Sequence, residues 1–375
     1  MRRLLIGLAL LTMTSLWAGR NDDIRFRRHQ VHHGANETAA LADVNGDGKL
    51  DIVNGEYWHE GPAPKAGGEW KSHKFRTLGF LNNYIDNFSD LIMDVNGDGR
   101  PDVIGCTYFS KRISWFENPG KTGSMWREHP IDEGNNVEFM FFVDLNNDGK
   151  ASEILPQFGG KGPTVYYEFA NGKFARHVAS EKNFGHGIGA GDVNGDGKTD
   201  ILTPKGWLEA PNWTEHADWS TEKAAGFIYA LDINGDGKND ILWPHAHDYG
   251  IYWLTQGADG KFTNQQKVDD VWSQAHATTL VDLNGDGKKD LLTGKRLFAH
   301  DHEPGVNDPL GIYWYEYQRT PDGNRVEWVR HIIDYGGMAG AGMQITTGDI
   351  DGDGDLDFAV GGKGGCYWYE NLTKR

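Results

Sequence analysis

Apolar and polar positions alternate along this chain in short runs that read as strands, and no helical heptads stand out. The runs recur in a fixed order. An apolar stretch such as "ETAALADV" or "GIGAGDV" leads into a polar loop, and a short run such as "DIVNG" or "DILTP" follows it. Next comes an aromatic segment, as in "ISWFENPG", "GIYWYEY" or "CYWYENL", and then a stretch rich in Trp, Arg and His, as in "WREHPI" or "EWVRHII". Each unit therefore predicts four short strands, with the polar loop between the first and second.

The loop is Asp-x-Asn-x-Asp-Gly-x-x-Asp, with near-copies beginning at Asp43, Asp94, Asp144, Asp192, Asp232, Asp282 and Asp349. Successive copies start 51, 50, 48, 40, 50 and 67 residues apart, at or near the period of propellers and solenoids. Seven units of four strands predict an all-β fold, a seven-bladed β-propeller over residues 22–373. The ends support a ring over a solenoid. "IRFRRHQV" reads as a fourth strand and "CYWYENLTKR" as a third, so the N-terminal strand is expected to complete the last blade and remove its open edge.

Alternate oxygens in such a loop suit a hard cation such as Ca²⁺. The expected ligands are Asp43, Asn45, Asp47 and Asp51; Asp94, Asn96, Asp98 and Asp102; Asp144, Asn146 and Asp148; Asp192, Asn194, Asp196 and Asp200; Asp232, Asn234, Asp236 and Asp240; Asp282, Asn284, Asp286 and Asp290; and Asp349, Asp351, Asp353 and Asp357. The third copy has Ser152 in place of the last Asp and Glu153 one residue later, so it is expected to be the weakest site. An EF-hand would need a bidentate Glu at position 12 and flanking helices, whereas here the last acid falls at position 9 between strands. The pattern resembles the calcium loops of FG-GAP and VCBS repeats, the propellers of integrin α-subunit heads and of many secreted bacterial proteins. That resemblance implies up to seven structural calcium ions, with the loops joining the first two strands of each blade on one face of the disc.

Charge changes the picture little. The formal charge is -17, but the loops carry three acids each in six copies and four in the last, 22 of 54 acidic residues. Seven divalent ions would bring the molecule near neutrality, and nucleic acid is an unlikely class of partner. The start, with Arg2 and Arg3, an apolar run and then Ala18 and Gly19, has the anatomy of a signal peptide over residues 1–18, so the protein is expected to be secreted or periplasmic, without a membrane span. Two cysteines, Cys106 and Cys366, make no disulfide scaffold, and whether they bridge is open.

Function is expected on the face opposite the Asp loops. Six residues before each first Asp the chain places Glu37, Phe88, Glu138, His186, Gly226, His276 and Met343, and two positions earlier lie Asp86, Asn136 and Gln274. Polar residues at the entry of an inner strand are uncommon as filler. Turns between the second and third strands open on the same face and differ between units, bringing Lys205, His245, His247, Lys295 and Arg296. The last of these turns extends into an insertion with His300, Asp301, His302, Glu303 and Asp308. The candidate catalytic set is His186, His276, His245, His247, Lys295 and Arg296; Trp58, Trp207, Lys205 and Gln274 are candidates for holding a sugar, and an additional divalent metal would fit among the histidines. Histidines in Trp-x-x-His contexts, His73, His129, His177 and His331, are expected to pack or hydrogen-bond. The segments "TPKGWLEAP", "HAHDYGIYW", "SQAH" and "TGKRLFAHDHEPGVNDPLGIYWYE" are similar to secreted bacterial FG-GAP-like proteins and, more distantly, to the propeller of aldos-2-ulose dehydratases. That similarity implies metal-assisted β-elimination from a keto-sugar or uronic glycan, a carbon–oxygen lyase; the alternative is a non-catalytic module binding carbohydrate or protein. No Ser or Cys nucleophile motif, P-loop or dinucleotide fingerprint occurs.

Overall fold

The computed structural model describes residues 24–61, 69–320 and 325–373, and among these every regular element is a β-strand. The expected signal peptide lies outside the described residues. Strands form antiparallel meanders of four in a β-propeller arrangement. The first meander runs Ala40–Ala42, Asp51–Asn54, Tyr57–Glu60 and Lys71–Lys74. Its second strand is buried along its whole length, whereas the fourth is exposed except at His73. Burial of the second strand shows no in–out alternation, and adjacent Ile52 and Val53 are both buried between flanking Asp51 and Asn54.

Five such sheets are separate, built on second strands Asp51–Asn54, Asp102–Thr107, Glu153–Phe158, Asp290–Gly294 and Asp357–Gly362. The meanders around Asp200–Thr203 and Asp240–Pro244 instead share one eight-stranded sheet. They are joined because inner strands Ile188–Gly191 and Phe227–Leu231 pair in parallel. Glycine permits this contact, since a Cβ at Gly189 would lie 1.7 Å from the Ile228 carbonyl oxygen. The sequence pattern predicts separate blades here, and the close approach allowed by Gly189 is why two are fused.

Strand Phe26–His32 lies antiparallel on Gly365–Asn371, from Phe26 opposite Asn371 to Gln30 opposite Tyr367. His29 stacks on Trp368 with ring centroids 4.3 Å apart and meets Glu370 Oε2 at 2.7 Å. The same trio recurs in other sheets. Trp58, His73 and Glu60 form one; Trp115, His129 and Glu117 another; Trp207, His216 and Glu209 a third; and Trp314, His331 and Glu316 a fourth. In the sheet around Glu153–Phe158, Tyr166 replaces Trp and stacks on His177 beside Glu168. His73, His129, His177 and His331 thus pack and pair as expected. Cys106 and Cys366 are buried free thiols.

The acid that ends each Asp loop is the first residue of the second strand and is buried. Asp240 accepts the N–H of Ile233 at 3.2 Å from its own loop and that of Gln256 at 2.9 Å from the end of the third strand. Asp51, Asp102, Asp200 and Asp357 each make the same pair of bonds, to Val44 and Gly61, Val95 and Asn118, Val193 and Ala210, and Ile350 and Asn371. In the third copy Glu153 takes the N–H of Leu145 at 2.9 Å, its extra methylene and one-residue shift preserving the loop bond. Asp240→Ala is expected to leave two buried N–H groups without an acceptor and to cost about 2–4 kcal/mol. The midpoint of chemical denaturation checks this, with a chelator present so that any cation at the loop does not contribute.

Candidate functional site

Residues entering the inner strands converge at one mouth of the propeller. Glu138 lies on strand Val137–Val143, His186 just before Ile188–Gly191, His276 just before Thr278–Val281, and His247 in the turn between Asp240–Pro244 and Tyr249–Gln256. One ligand atom from each of these four side chains lies within 4.8 Å of the others. His186 Nε2 is 2.9 Å from Glu138 Oε2, yet it lacks the alignment of a hydrogen bond. His276 Nε2 is 3.8 Å from Glu138 Oε1, and His247 Nε2 is 4.0 Å away.

The tautomer of His186 is set from behind. Its Nδ1–H donates to the Ala225 carbonyl at 2.6 Å, which aims Nε2 at the cluster. His276 is 1% exposed, and neither of its ring nitrogens has a hydrogen-bond partner among the described residues. A buried imidazole left unpaired is costly, and four donor atoms around one point are what a divalent metal requires. Burial works to raise the Glu138 carboxyl, but His186, His247 and Arg296 outweigh it and hold it at about 2. Burial pushes His247 down to about 3 and His276 well below the ordinary imidazole range. His247 and His276, kept neutral in this way, are ready ligands, whereas burial lowers His186 but its pairing with Glu138 outweighs this and raises it.

The cluster forms part of the wall of a cavity of about 1080 Å³, also lined by Tyr84, Phe88, Tyr108, Phe109, Arg296 and Lys363. Asp86 holds one side of it: Oδ1 accepts the N–H groups of Tyr108 and Phe109, each at 2.9 Å, and Oδ2 that of Ser110 at 2.7 Å. His300, from the insertion, places Nε2 3.2 Å from His247 Nε2.

Of the candidate catalytic residues, His186, His247 and Arg296 line this cavity, as do Phe88, Glu138, His300 and Asp301, while His276 belongs to the cluster without lining the cavity. His245, Lys295, Gln274, Lys205, Trp58 and Trp207 do not line it. His245 Nδ1 lies 3.0 Å from the Tyr249 carbonyl, and the ring shapes its own turn. Lys295 is buried against Ser273 Oγ and Gln274 Oε1, at 3.0 and 3.4 Å, and burial lowers its ammonium to about 8. Gln274 is fully buried and donates from Nε2 to the Pro304 carbonyl, so it supports the long loop. Lys205 is exposed at its turn. Trp58 and Trp207 are buried under His73 and His216, which leaves no free face for a sugar. Tyr84 and Lys363 were missed. Lys363 occupies the turn position that drew attention to Lys205 and Lys295, so the same repeat register carried the signal.

In the Asp loops the first and fifth side chains fold over their own backbone. Asp43 accepts the N–H groups of Asp47 and Gly48, and Asp47 that of Lys49. In the last loop, oxygens of Asp349, Asp351 and Asp353 lie within 4.8 Å of one another. The ninth acid lies beneath, committed to the backbone bonds described above.

Residues 94–152 and 232–293 match an FG-GAP-like repeat, and residues 184–205 match an FG-GAP repeat. The chain carries FG-GAP-like repeats. The two longer matches begin at Asp94 and Asp232, the first residues of the second and fifth loops, and the shorter one includes His186. No curated protein matched the sequence. Among solved structures, the chain is similar to BBS1N in its complex with ARL6DN, with a TM-score of 0.56 and 10% identity over 92% of this chain and 96% of that one. It is also similar to a lectin of Agrocybe aegerita recognising non-reducing terminal N-acetylglucosamine, with a TM-score of 0.48 and 17% identity over 80% of each chain. An auxiliary nutrient binding protein from Bacteroides ovatus gives a TM-score of 0.49 and 10% identity, over 92% of this chain and 77% of that one. At these identities the FG-GAP-like repeats share a fold with the first of these proteins, and the other two likenesses are weaker.

Asp86→Ala is expected to release the turn bearing Tyr108 and Phe109 and to cost about 2–4 kcal/mol, since three N–H groups lose their acceptor. Denaturation measures the cost.

Proposed function

We propose that this FG-GAP-like propeller is a secreted, metal-dependent carbon–oxygen lyase acting on a keto-sugar. The observation that carries the reading is the buried, unpartnered His276 facing Glu138 beside His186 and His247. Glu138, His186, His247 and His276 would hold one divalent transition metal, which supplies Lewis-acid polarisation of a ketone oxygen. His300, at the cavity wall, takes the proton from the carbon next to that ketone. Its electron pair forms the new double bond as the bond to the β-hydroxyl breaks, and the imidazolium returns the proton so that water leaves.

Elemental analysis of wild type and of His186→Ala/His276→Ala tests the site. A transition metal near one per chain, lost in the double variant while calcium is unchanged, is expected; calcium alone in both proteins would overturn the metal reading. With a loaded site, His300→Ala should slow formation of the conjugated enone by about 10²- to 10⁴-fold, followed by ultraviolet absorbance. A second reading is favoured by Tyr84, Phe88, Tyr108 and Phe109 around the cavity: a module that binds carbohydrate without turnover. It would show saturable binding with no enone.

The frame belongs to the same proposal. Seven blades follow if the eight-stranded sheet is counted as two, and strand Phe26–His32 closes the ring in the outer place that bears the stacked His elsewhere. The Asp loops are proposed to bind calcium through their first, third and fifth side chains and the seventh carbonyl, with the ninth acid beneath. A chelator should then lower the melting temperature and calcium restore it, each loop contributing about 2.7 kcal/mol at a hundredfold excess over its dissociation constant.

A further inference from the structure

Lys363 is the one side chain presented by a turn otherwise made of glycine. It connects strands Asp357–Gly362 and Gly365–Asn371. The glycines around it are required by close packing: a Cβ at Gly361 would lie 2.1 Å from the Thr38 carbonyl oxygen, and one at Gly364 2.2 Å from that of Met338. The turn is therefore wedged between neighbouring segments, and its lysine reaches the cavity. Lys363 Nζ sits 3.7 Å from the centroid of the Tyr84 ring, and it donates to the Phe298 carbonyl at 2.5 Å.

Arg296 stands beside it. Its guanidinium carbon is 5.3 Å from the same Tyr84 centroid and 5.5 Å from that of Phe88. Arg296 is 1% exposed, and its Nε–H donates to Glu37 Oε2 at 3.0 Å. Nη2 is buried with no hydrogen-bond partner among the described residues, so Arg296 brings a desolvated positive charge to the cavity wall. Glu37 is paired with Arg296, and Lys363 brings a second positive charge to the cavity wall in a molecule of formal charge -17. Asp301 lies at the rim with its side chain 95% exposed and well solvated.

We propose that the ligand of this cavity is a sugar acid, whose carboxylate is held by Lys363 over Tyr84, with the Arg296 charge beside it. The ligand class is thereby narrowed to sugars that carry a carboxylate, and this rests on the sugar-binding part of the reading above. Charge-assisted bonds of this kind are short and strong, and removing one partner leaves the other charge desolvated. Burial has already lowered the Lys363 ammonium to about 8, which a bound carboxylate would reverse.

The test is calorimetric titration of metal-loaded protein with D-glucuronate against D-glucose, and with D-galacturonate against D-galactose. Wild type is expected to prefer the acid of at least one pair by about tenfold or more. Lys363→Met should abolish that preference through loss of acid binding, leave the affinity for the neutral sugar unchanged, and keep the same metal content. Lys363→Arg should recover part of it. Equal affinity for acid and neutral sugar, binding of none of the four, or a preference that survives Lys363→Met would overturn the proposal. Metal content measured on the same samples separates the two readings: an acid preference without a transition metal would sink the lyase alone, and a transition metal without acid preference would sink the sugar acid alone.

Discussion

The structure depends on one repeated constraint, a buried acid at the start of the second strand of each unit. Its oxygens tie the loop before it to the strand after it, as Asp240 does between Ile233 and Gln256. A carboxylate without a cationic side chain is an awkward choice for such a place. Burial raises Asp51, Asp200 and Asp240 to about 6, and Asp290 and Asp357 to about 7, even though backbone N–H groups pull the other way. In a metal-free chain, stability linked to these groups is fully present below their unfolded pKa near 4 and is lost as pH rises through 6 to 7. Cations bound to the acids above them would reverse that trend, which gives a physical reason for the loops to be so rich in aspartate.

A frame pinned on one face leaves the other free to vary. Turns opposite the Asp loops differ in length and content, and only some of them reach the centre. Glu138, His186 and His276 enter at equivalent register positions, whereas His247, His300, Arg296 and Lys363 come from turns or the insertion. The cluster is therefore built partly by repeat geometry and partly by departures from it. The supporting residues are as specific as the lining ones: Ala225 orients His186, Asp86 fixes Tyr108 and Phe109, and Glu37 anchors Arg296.

Much of this was legible in the sequence because repetition gives register. Counting back six residues from each loop found Glu37, Phe88, Glu138, His186 and His276, all of which line the cavity or support it. Periodicity could not say which aromatic side chains keep a free face. Trp58 and Trp207 looked like sugar platforms, but each is capped by a histidine from the outer strand, a pairing visible only once strands are aligned. Lys363 was hidden for a related reason: "GGKGG" reads as a plain turn until the neighbouring segments show that glycine is the only residue that fits around it. The fusion of two sheets was equally hidden, since Gly189 announces flexibility in sequence and close contact in space.

The pairing of Phe26–His32 with Gly365–Asn371 joins segments more than three hundred residues apart, as the His29 to Glu370 bond spans 341 positions. Contacts of such separation are made late, because the chain must surrender the entropy of a very long loop before they form. Until then Gly365–Asn371, whose core is almost wholly buried in the finished molecule, presents an unpaired edge able to recruit a strand from another chain. Exchange of this one strand between two copies would satisfy the same bonds.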